Sequence, residues 1–148
     1  MKYAISFRPW RHADRESCLS IFDANCPDFF APNERSDYAS FLDGAPVGYE
    51  VCIATGRIVG AFGLISHADE GVHLNWIMID PRSQGMGIGS AIMQRVLSLA
   101  SASGQSTIDI AASHKSAAFF ARFGAVARTR TPDGWGPGMD RVDMTLSV

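Results

Sequence analysis

Residues 77–91, IMIDPRSQGMGIGSA, run a branched apolar strand into an Asp-Pro stop, glycines at 85, 87 and 89, and the first turn of an apolar-striped helix. The chemistry such a segment offers is anion binding. The first N–H groups of a helix lack internal partners and carry the positive end of its dipole, so a phosphate can rest there without a charged side chain. The three glycines are expected to take left-handed angles and bring bare backbone against the ligand. A P-loop would end in Gly-Lys-Ser/Thr, and this segment holds no lysine. A Rossmann fingerprint would put its third glycine at position 90, which is Ser, and no second βαβ half follows. A strand-to-helix turn that uses glycine only for tight packing is the remaining alternative.

The elements that must hold this loop follow from periodicity. Tyr3 to Phe7 alternates as a first strand before Pro9, and Asp14 is placed to cap a helix with Cys18, Leu19, Ile21 and Phe22 on one side. The segment NCPDFFAPN breaks that helix, and a second runs from about Glu34 to Leu42 before Asp43-Gly44. Gly48 to Ala54 and Ile58 to Ser66 flank Thr55-Gly56 as a two-residue hairpin. Val72 to Ile79 is the fourth strand, and Ile88 to about Ala102 is a helix whose Ile88, Ile92, Val96 and Leu99 share a face widened by Ala91, Met93, Leu97 and Ala100. Thr107 to Ala112 is a fifth strand and Ser116 to Phe123 a short helix ended by Gly124. Ala125 to Arg130 and Met139 to Val148 are closing strands around the loop TPDGWGPG. Strand and helix alternate only in the middle, which predicts an α/β (α+β) mixed sheet packed by helices.

At 148 residues and 47% apolar, the chain suits one domain over residues 1–148. No apolar run approaches the roughly 20 residues of a membrane span, and the N-terminus turns polar too early for a secretory signal, so a cytoplasmic protein with no membrane partner is expected. Cys18, Cys26 and Cys52 lack metal or redox spacing and read as buried free thiols; no metal is expected. A net charge of −2, with only Trp10-Arg11-His12 and Arg128-Thr-Arg130 as dense basic spots, argues against nucleic acid.

Gln84-Gly85-Met86-Gly87-Ile88-Gly89 resembles the Q/R-x-x-G-x-G/A signature of the GNAT acyltransferase superfamily, which also follows a strand ending in hydrophobic-Asp-Pro. Ala117 to Ala125, AAFFARFGA, is similar to that superfamily's A-x-x-F-Y-x-x-x-G-F segment, and the likeness runs from Ile5 to the last strand. Within the superfamily the chain looks like a branch with Trp in strand four and the ending GWGPGMDRVDM at 134–144. The resemblance implies a mostly antiparallel sheet of about seven strands with about four helices, splayed at strands four and five. It implies acetyl-CoA as donor cosubstrate and direct transfer to the primary amine of a small molecule or peptide in a ternary complex.

On that resemblance the diphosphate rests on Gln84, Gly85, Met86, Gly87, Ile88, Gly89 and Ser90. The pantetheine arm lies along Ile77, Met78 and Ile79, like an added strand. An N–H near Met78 or Ile79 is then placed to polarise the thioester carbonyl. Amine attack needs a base. The family's frequent strand-four Glu falls at Asn75, which can hold a water but cannot take the proton. His73, two residues earlier on the same face, is the first candidate base, with Glu34, Glu50, His67 and Glu70 behind it. Phe120 stands where many members carry a Tyr acid, so thiolate departure must rely on its own low pKa, on solvent, or on Ser113 or Ser116. Phe119 or Phe120 is expected against the pantetheine arm. Acceptor recognition is expected from Phe29, Phe30, Glu34 and Trp135, and Asp140, Arg141 and Asp143 on the last strand suit pairing across strands or a homodimer edge. Asn75 and Phe120 also motivate an alternative, an acyl-CoA-binding sensor with little turnover.

Overall fold

The computed structural model describes residues 4–67 and 71–148, with His67 placed by its backbone alone. The seven strands are β1 (Ile5–Pro9), β2 (Tyr49–Ala54), β3 (Arg57–His67), β4 (Gly71–Ile79), β5 (Thr107–Ser113), β6 (Val126–Gly136) and β7 (Met139–Ser147). They form one sheet in the order β1-β2-β3-β4-β5-β7-β6. Every neighbouring pair is antiparallel except β4 and β5. The helices α1 (Arg15–Ala24), α2 (Glu34–Asp43), α3 (Ile88–Ala102) and α4 (Ala117–Ala121) divide between its faces.

Side-chain alternation along the strands builds two cores. On one face Ile88, Ile92, Met93, Val96 and Ala100 of α3 pack on Val72, Leu74, Ile108 and Ile110. On the other, Cys18, Leu19, Ile21 and Phe22 of α1 and Tyr38 and Leu42 of α2 pack on Tyr49, Val51, Ala61 and Met78. Thr55 and Gly56 both have positive φ, 53° and 75°, the requirement for a two-residue turn that matches strand twist.

Three local expectations are corrected. Asp14 stands at the start of α1 but makes no capping bond to it. Its carboxylate instead accepts both guanidinium N–H groups of Arg8, at 2.7 and 2.9 Å, and the Arg11 N–H at 2.8 Å, a charge-assisted set stronger than a cap. The loop expected at 131–138 is largely strand. β6 continues to Gly136 through a register shift after Thr131, where Asp133 at φ 54° donates its N–H to Asp140 and accepts from Gly138. Cys18 and Cys52 are buried, which raises each thiol to about 11, whereas Cys26 is only partly buried. Among the described residues no helix is long and apolar enough to cross a membrane.

Candidate active site

The site is made where β4 parts from β5. Their parallel pairing covers Val72, His73 and Leu74 opposite Ile108, Asp109 and Ile110, and stops there. Beyond it β4 is bulged: Met78 lies opposite Ala61 and Asn75 opposite Gly63, so β4 carries one residue more than β3 over this stretch. Trp76 takes the irregular conformation, with φ 48°. A left-handed Trp costs on the order of 1–3 kcal/mol and persists only where its surroundings hold it. Here the Tyr49 hydroxyl donates to the Trp76 carbonyl at 2.8 Å, Tyr38 and Tyr49 share a 2.8 Å hydroxyl bond, and the Trp76 ring stacks on Phe30. Gly63 is required beside it, since a Cβ there would stand 2.9 Å from the Tyr49 ring.

Tyr49→Phe is accordingly expected to lower stability in urea unfolding by about 1–3 kcal/mol, by leaving the partly buried Trp76 carbonyl without its donor. Tyr38→Phe should cost less, because the Tyr49 hydroxyl keeps its bond to Trp76.

The bulge re-aims the side chains. Val72, Leu74, Ile77 and Ile79 pack toward α3, while Trp76 and Met78 pack toward α1 and α2. His73 and Asn75 alternate with Val72 and Leu74, so they project on the α1/α2 face, and both line the cleft. Asp80 N–H donates to Val59 of β3 at 2.8 Å. Strand alternation then turns the main chain of Met78 to β3 and those of Ile77 and Ile79 to the open edge. The carbonyl of Ile79 accepts from Asn25 Nδ2 at 2.9 Å, a tie between the end of α1 and the end of β4.

The strand-to-helix connection is rigid before it reaches the glycines. Asp80 is buried, and burial pushes its carboxyl up, but the Arg82 guanidinium and N–H together with the charge of Arg57 outweigh this and hold it below the ordinary value. Gly85 and Gly87 follow with φ 81° and 76°. A Cβ at either would meet nothing within 4 Å, so both are glycine for backbone conformation, and the space beside them is open. Gly87 is the N-cap of α3, which leaves the N–H groups of Ile88, Gly89 and Ser90 without intrahelical partners; that of Ala91 already bonds Gly87 O at 3.0 Å. The third glycine has another reason. Gly89 is helical, and a Cβ there would lie 2.7 Å from the Phe119 ring. The expectation of left-handed angles at all three positions therefore holds for two.

A cleft of about 1320 Å³ runs from this turn across the opening between the strands. Gln84, Gly85, Gly87, Ile88, Gly89 and Ser90 line one end, and Met86 packs against the α3 core instead. Ile77, Met78 and Ile79 line one side. Ser113, Phe119 and Phe120 line the other. Ser113 and Ser116 bind one another at 3.1 Å through their hydroxyls and reciprocal N–H groups, which fixes the step from β5 into α4. Phe120 is buried in the core while Phe119 is partly open under the Arg122 guanidinium.

Phe29, Phe30, Glu34 and Trp135 line the α1/α2 end, which brings together residues 100 positions apart in the chain. Trp135 is held by Nε1 donating to Ala112 O at 2.9 Å and by the Arg141 guanidinium over its ring at 5.0 Å. Glu34 is 5% exposed, and its carboxylate accepts the Ala31 N–H at 2.8 Å. Burial raises its carboxyl to about 7, against the lowering effect of the Ala31 bond. Of the other candidate bases, Glu50 is engaged by Arg95 at 3.0 and 2.9 Å and does not line the cleft. Glu70 and the side chain of His67 lie outside the described residues. The sequence reading passed over Asn25, Tyr49 and the conformation of Trp76. None carried a local signal, because each matters through a partner more than 25 residues away. Among the described residues no group of three His, Cys, Asp or Glu side chains is placed to hold a metal ion.

A sheet opened at its one parallel pair, with a left-handed glycine turn and a helix N-terminus at the mouth, defines an α/β protein whose cleft suits an extended anionic ligand. The sequence model of the Acetyltransferase (GNAT) family matches residues 18–125, and the chain belongs to that family. Comparison with curated proteins gives no match. Among solved structures the chain is similar to Ard1 from Thermoplasma volcanium, at 19% identity and TM-score 0.81 over 98% of each chain. It is also similar to the ribosomal-protein-S18-alanine N-acetyltransferase from Escherichia coli, at 17% identity and TM-score 0.79, covering 98% of this chain and 94% of that one. The Salmonella typhimurium protein yncA, solved with its cofactor acetyl-CoA, gives 17% identity and TM-score 0.69 over 97% and 94% of the two chains.

Proposed function

We propose that this chain is a single acetyltransferase domain over residues 1–148 that moves the acetyl group of acetyl-CoA to a primary amine by direct attack in a ternary complex. The observation that carries this is the Gly85–Gly87 turn. Two left-handed glycines beside open space lead into three unpartnered helix N–H groups, next to a strand whose pairing has stopped. The residues present fit a coenzyme diphosphate because backbone donors and the helix dipole need no lysine. The open-edge main chain of Ile77 and the N–H of Ile79, whose carbonyl is taken by Asn25, suit the amides of a pantetheine arm, and an N–H there suits the thioester oxygen. Phe119 walls that arm, and His73 and Asn75 line the approach of the amine. When bound, acetyl-CoA supplies an activated acyl carbon and a good leaving thiolate.

The sensor alternative loses its motive, since Glu34 supplies the cleft with a carboxyl of suitable pKa even though Asn75 and Phe120 cannot exchange protons. This assignment implies a compartment where acetyl-CoA is available and thiols stay reduced, the cytoplasm. Edge strand β6, exposed from Val126 to Gly134, offers a route to a homodimer by strand pairing.

Acetyl-CoA at about 100 times its Kd is expected to stabilise the folded protein by about 2.7 kcal/mol. A thermal melt reads that shift, and release of free CoA thiol with an amine panel reads the transfer. An unmoved melt with a calorimetric titration that gives no heat would overturn the coenzyme assignment.

A further inference from the structure

The α1/α2 end of the cleft is bridged. Asn33 Nδ2 donates to Trp135 O at 2.9 Å, joining the segment before α2 to the β6–β7 hairpin across 102 residues of chain. The two pieces are seated tightly: a Cβ on Gly136 would collide with the Asn33 side chain and stand 2.9 Å from Ala31. The bridge, β4 and the hairpin therefore border this end of the open cleft, which is lined by Phe29, Phe30, Trp76 and Trp135. A bridge across this end narrows the approach of a side chain presented by a folded protein surface. A small molecule is less hindered.

At this end Glu34 is placed as a proton acceptor. It occupies the first position of α2, so the rigid helix start and the Ala31 N–H fix its carboxylate, one oxygen of which is bonded to Ala31. Its competitor, His73, sits inside the stretch where β4 and β5 are still paired, short of the opening in which a coenzyme arm could reach the main chain. We propose that Glu34 is the base of this enzyme and that the acceptor is a small primary amine carrying an apolar or aromatic group, bound beneath the Asn33–Trp135 bridge. This rests on the coenzyme assignment above.

The step balances. The acceptor ammonium gives one proton to the Glu34 carboxylate, which passes it to solvent. The freed nitrogen lone pair forms the C–N bond to the acetyl carbon, the C–S bond breaks with its electron pair going to sulfur, and the thiolate takes the second nitrogen proton. The products are the N-acetylated amine, free CoA and one released proton. Burial places the Glu34 carboxyl at about 7, so it is substantially ionised at neutrality yet basic enough to accept. The titratable groups that act on it are Asp37 on α2 and Cys26 in the connecting segment, and His73, Asp80, Lys115, Arg122 and Arg141 also line the cleft.

The test measures CoA thiol release from the full chain with acetyl-CoA and 2-phenylethylamine, spermidine, a short peptide with a free N-terminus, and a folded lysine-rich protein. Turnover is expected to be highest with 2-phenylethylamine. Glu34→Gln should lower kcat by at least about 100-fold, the usual contribution of a positioned base, while KM and the calorimetric Kd for CoA change by less than about threefold. The wild-type kcat should fall on the acid side with an apparent pKa of about 7, and His73→Gln should keep that limb. A Glu34→Gln protein that binds CoA and turns over within about tenfold of wild type would overturn the proposal. So would faster acetylation of the folded protein than of the small amines, or CoA binding without turnover of any small amine. Should Glu34→Gln fail to fold, a wild-type kcat without an acid limb near 7 overturns it equally. Absence of CoA binding in the wild type would instead mark failure of the coenzyme assignment.

Discussion

Gly87→Val is expected to leave a folded protein whose affinity for CoA is reduced at least about 100-fold, equivalent to about 2.7 kcal/mol of binding free energy. Two effects converge there. Gly87 has φ 76°, a left-handed conformation that disfavours an L side chain by roughly 1–2 kcal/mol. A β-branched side chain would also occupy the open space where backbone donors must meet a diphosphate, and no protein atom lies within 4 Å to be disturbed. Stability should fall only by the conformational cost, while binding carries the steric one. Gly56→Ala separates the two, since Gly56 has φ 75° and open surroundings in the β2–β3 turn, outside the cleft. It should show the same small loss of stability and unchanged CoA binding by calorimetry. Equal binding by the Gly87→Val protein would remove the glycine turn from the site.

The contrast with Gly89 marks what the sequence could and could not disclose. Three alternate glycines look equivalent in a string, and the phosphate proposal could be made from sequence because helix-terminal N–H groups are a local property. The reason for the third depends on Phe119, thirty residues onward, and so appears only in three dimensions. The same distinction covers the fold. Helix α3 was expected at 88–102 and lies there, because its apolar stripe is set by near neighbours. β6 was expected to end near Arg130 and reaches Gly136, because its Gly- and Pro-rich tail reads as a loop unless the Asp133–Asp140 and Gly138–Asp133 bonds across the hairpin are known.

The site divides in the same way. The proposed coenzyme end is drawn mostly from the contiguous run Ile77 to Ser90, whereas the proposed acceptor end collects Asn25, Glu34, Trp76 and Trp135 from four elements. From the sequence Glu34 stood among the acceptor residues and the reserve bases, behind His73, because a first-turn acid suits a helix N-terminus by its charge alone. Its burial depends on the tight seat of the α1–α2 connection against the hairpin, a contact no periodicity encodes. The bulge at Trp76 was equally hidden: a positive φ at a Trp inside a strand is imposed from outside, by Tyr49 and the aromatic stack.

Glu34→Gln is expected to make the protein more stable above neutral pH while removing its turnover. The sign follows from where the carboxyl titrates. Burial lifts it from the ordinary 4.5 to about 7 in the folded state. Below 4.5 both folded and unfolded chains hold the proton, and the residue has no effect. As pH rises from 4.5 to about 7 the unfolded chain releases it first, so the folded state binds more protons and stability falls. Above about 7 both forms are ionised and the loss is constant, about 3 kcal/mol at 1.36 kcal/mol per pH unit. Glutamine has no proton to lose there, and its amide oxygen can still accept from the Ala31 N–H. The variant should therefore melt roughly 6–12 °C above the wild type in alkaline buffer, and the difference should vanish as pH falls toward 4.5. A carboxylate kept only to brace the start of α2 would give the opposite result, a variant less stable at every pH. Higher stability with lost turnover would instead be what a group held buried for its basicity gives, since the fold is then held under strain by the residue its chemistry needs.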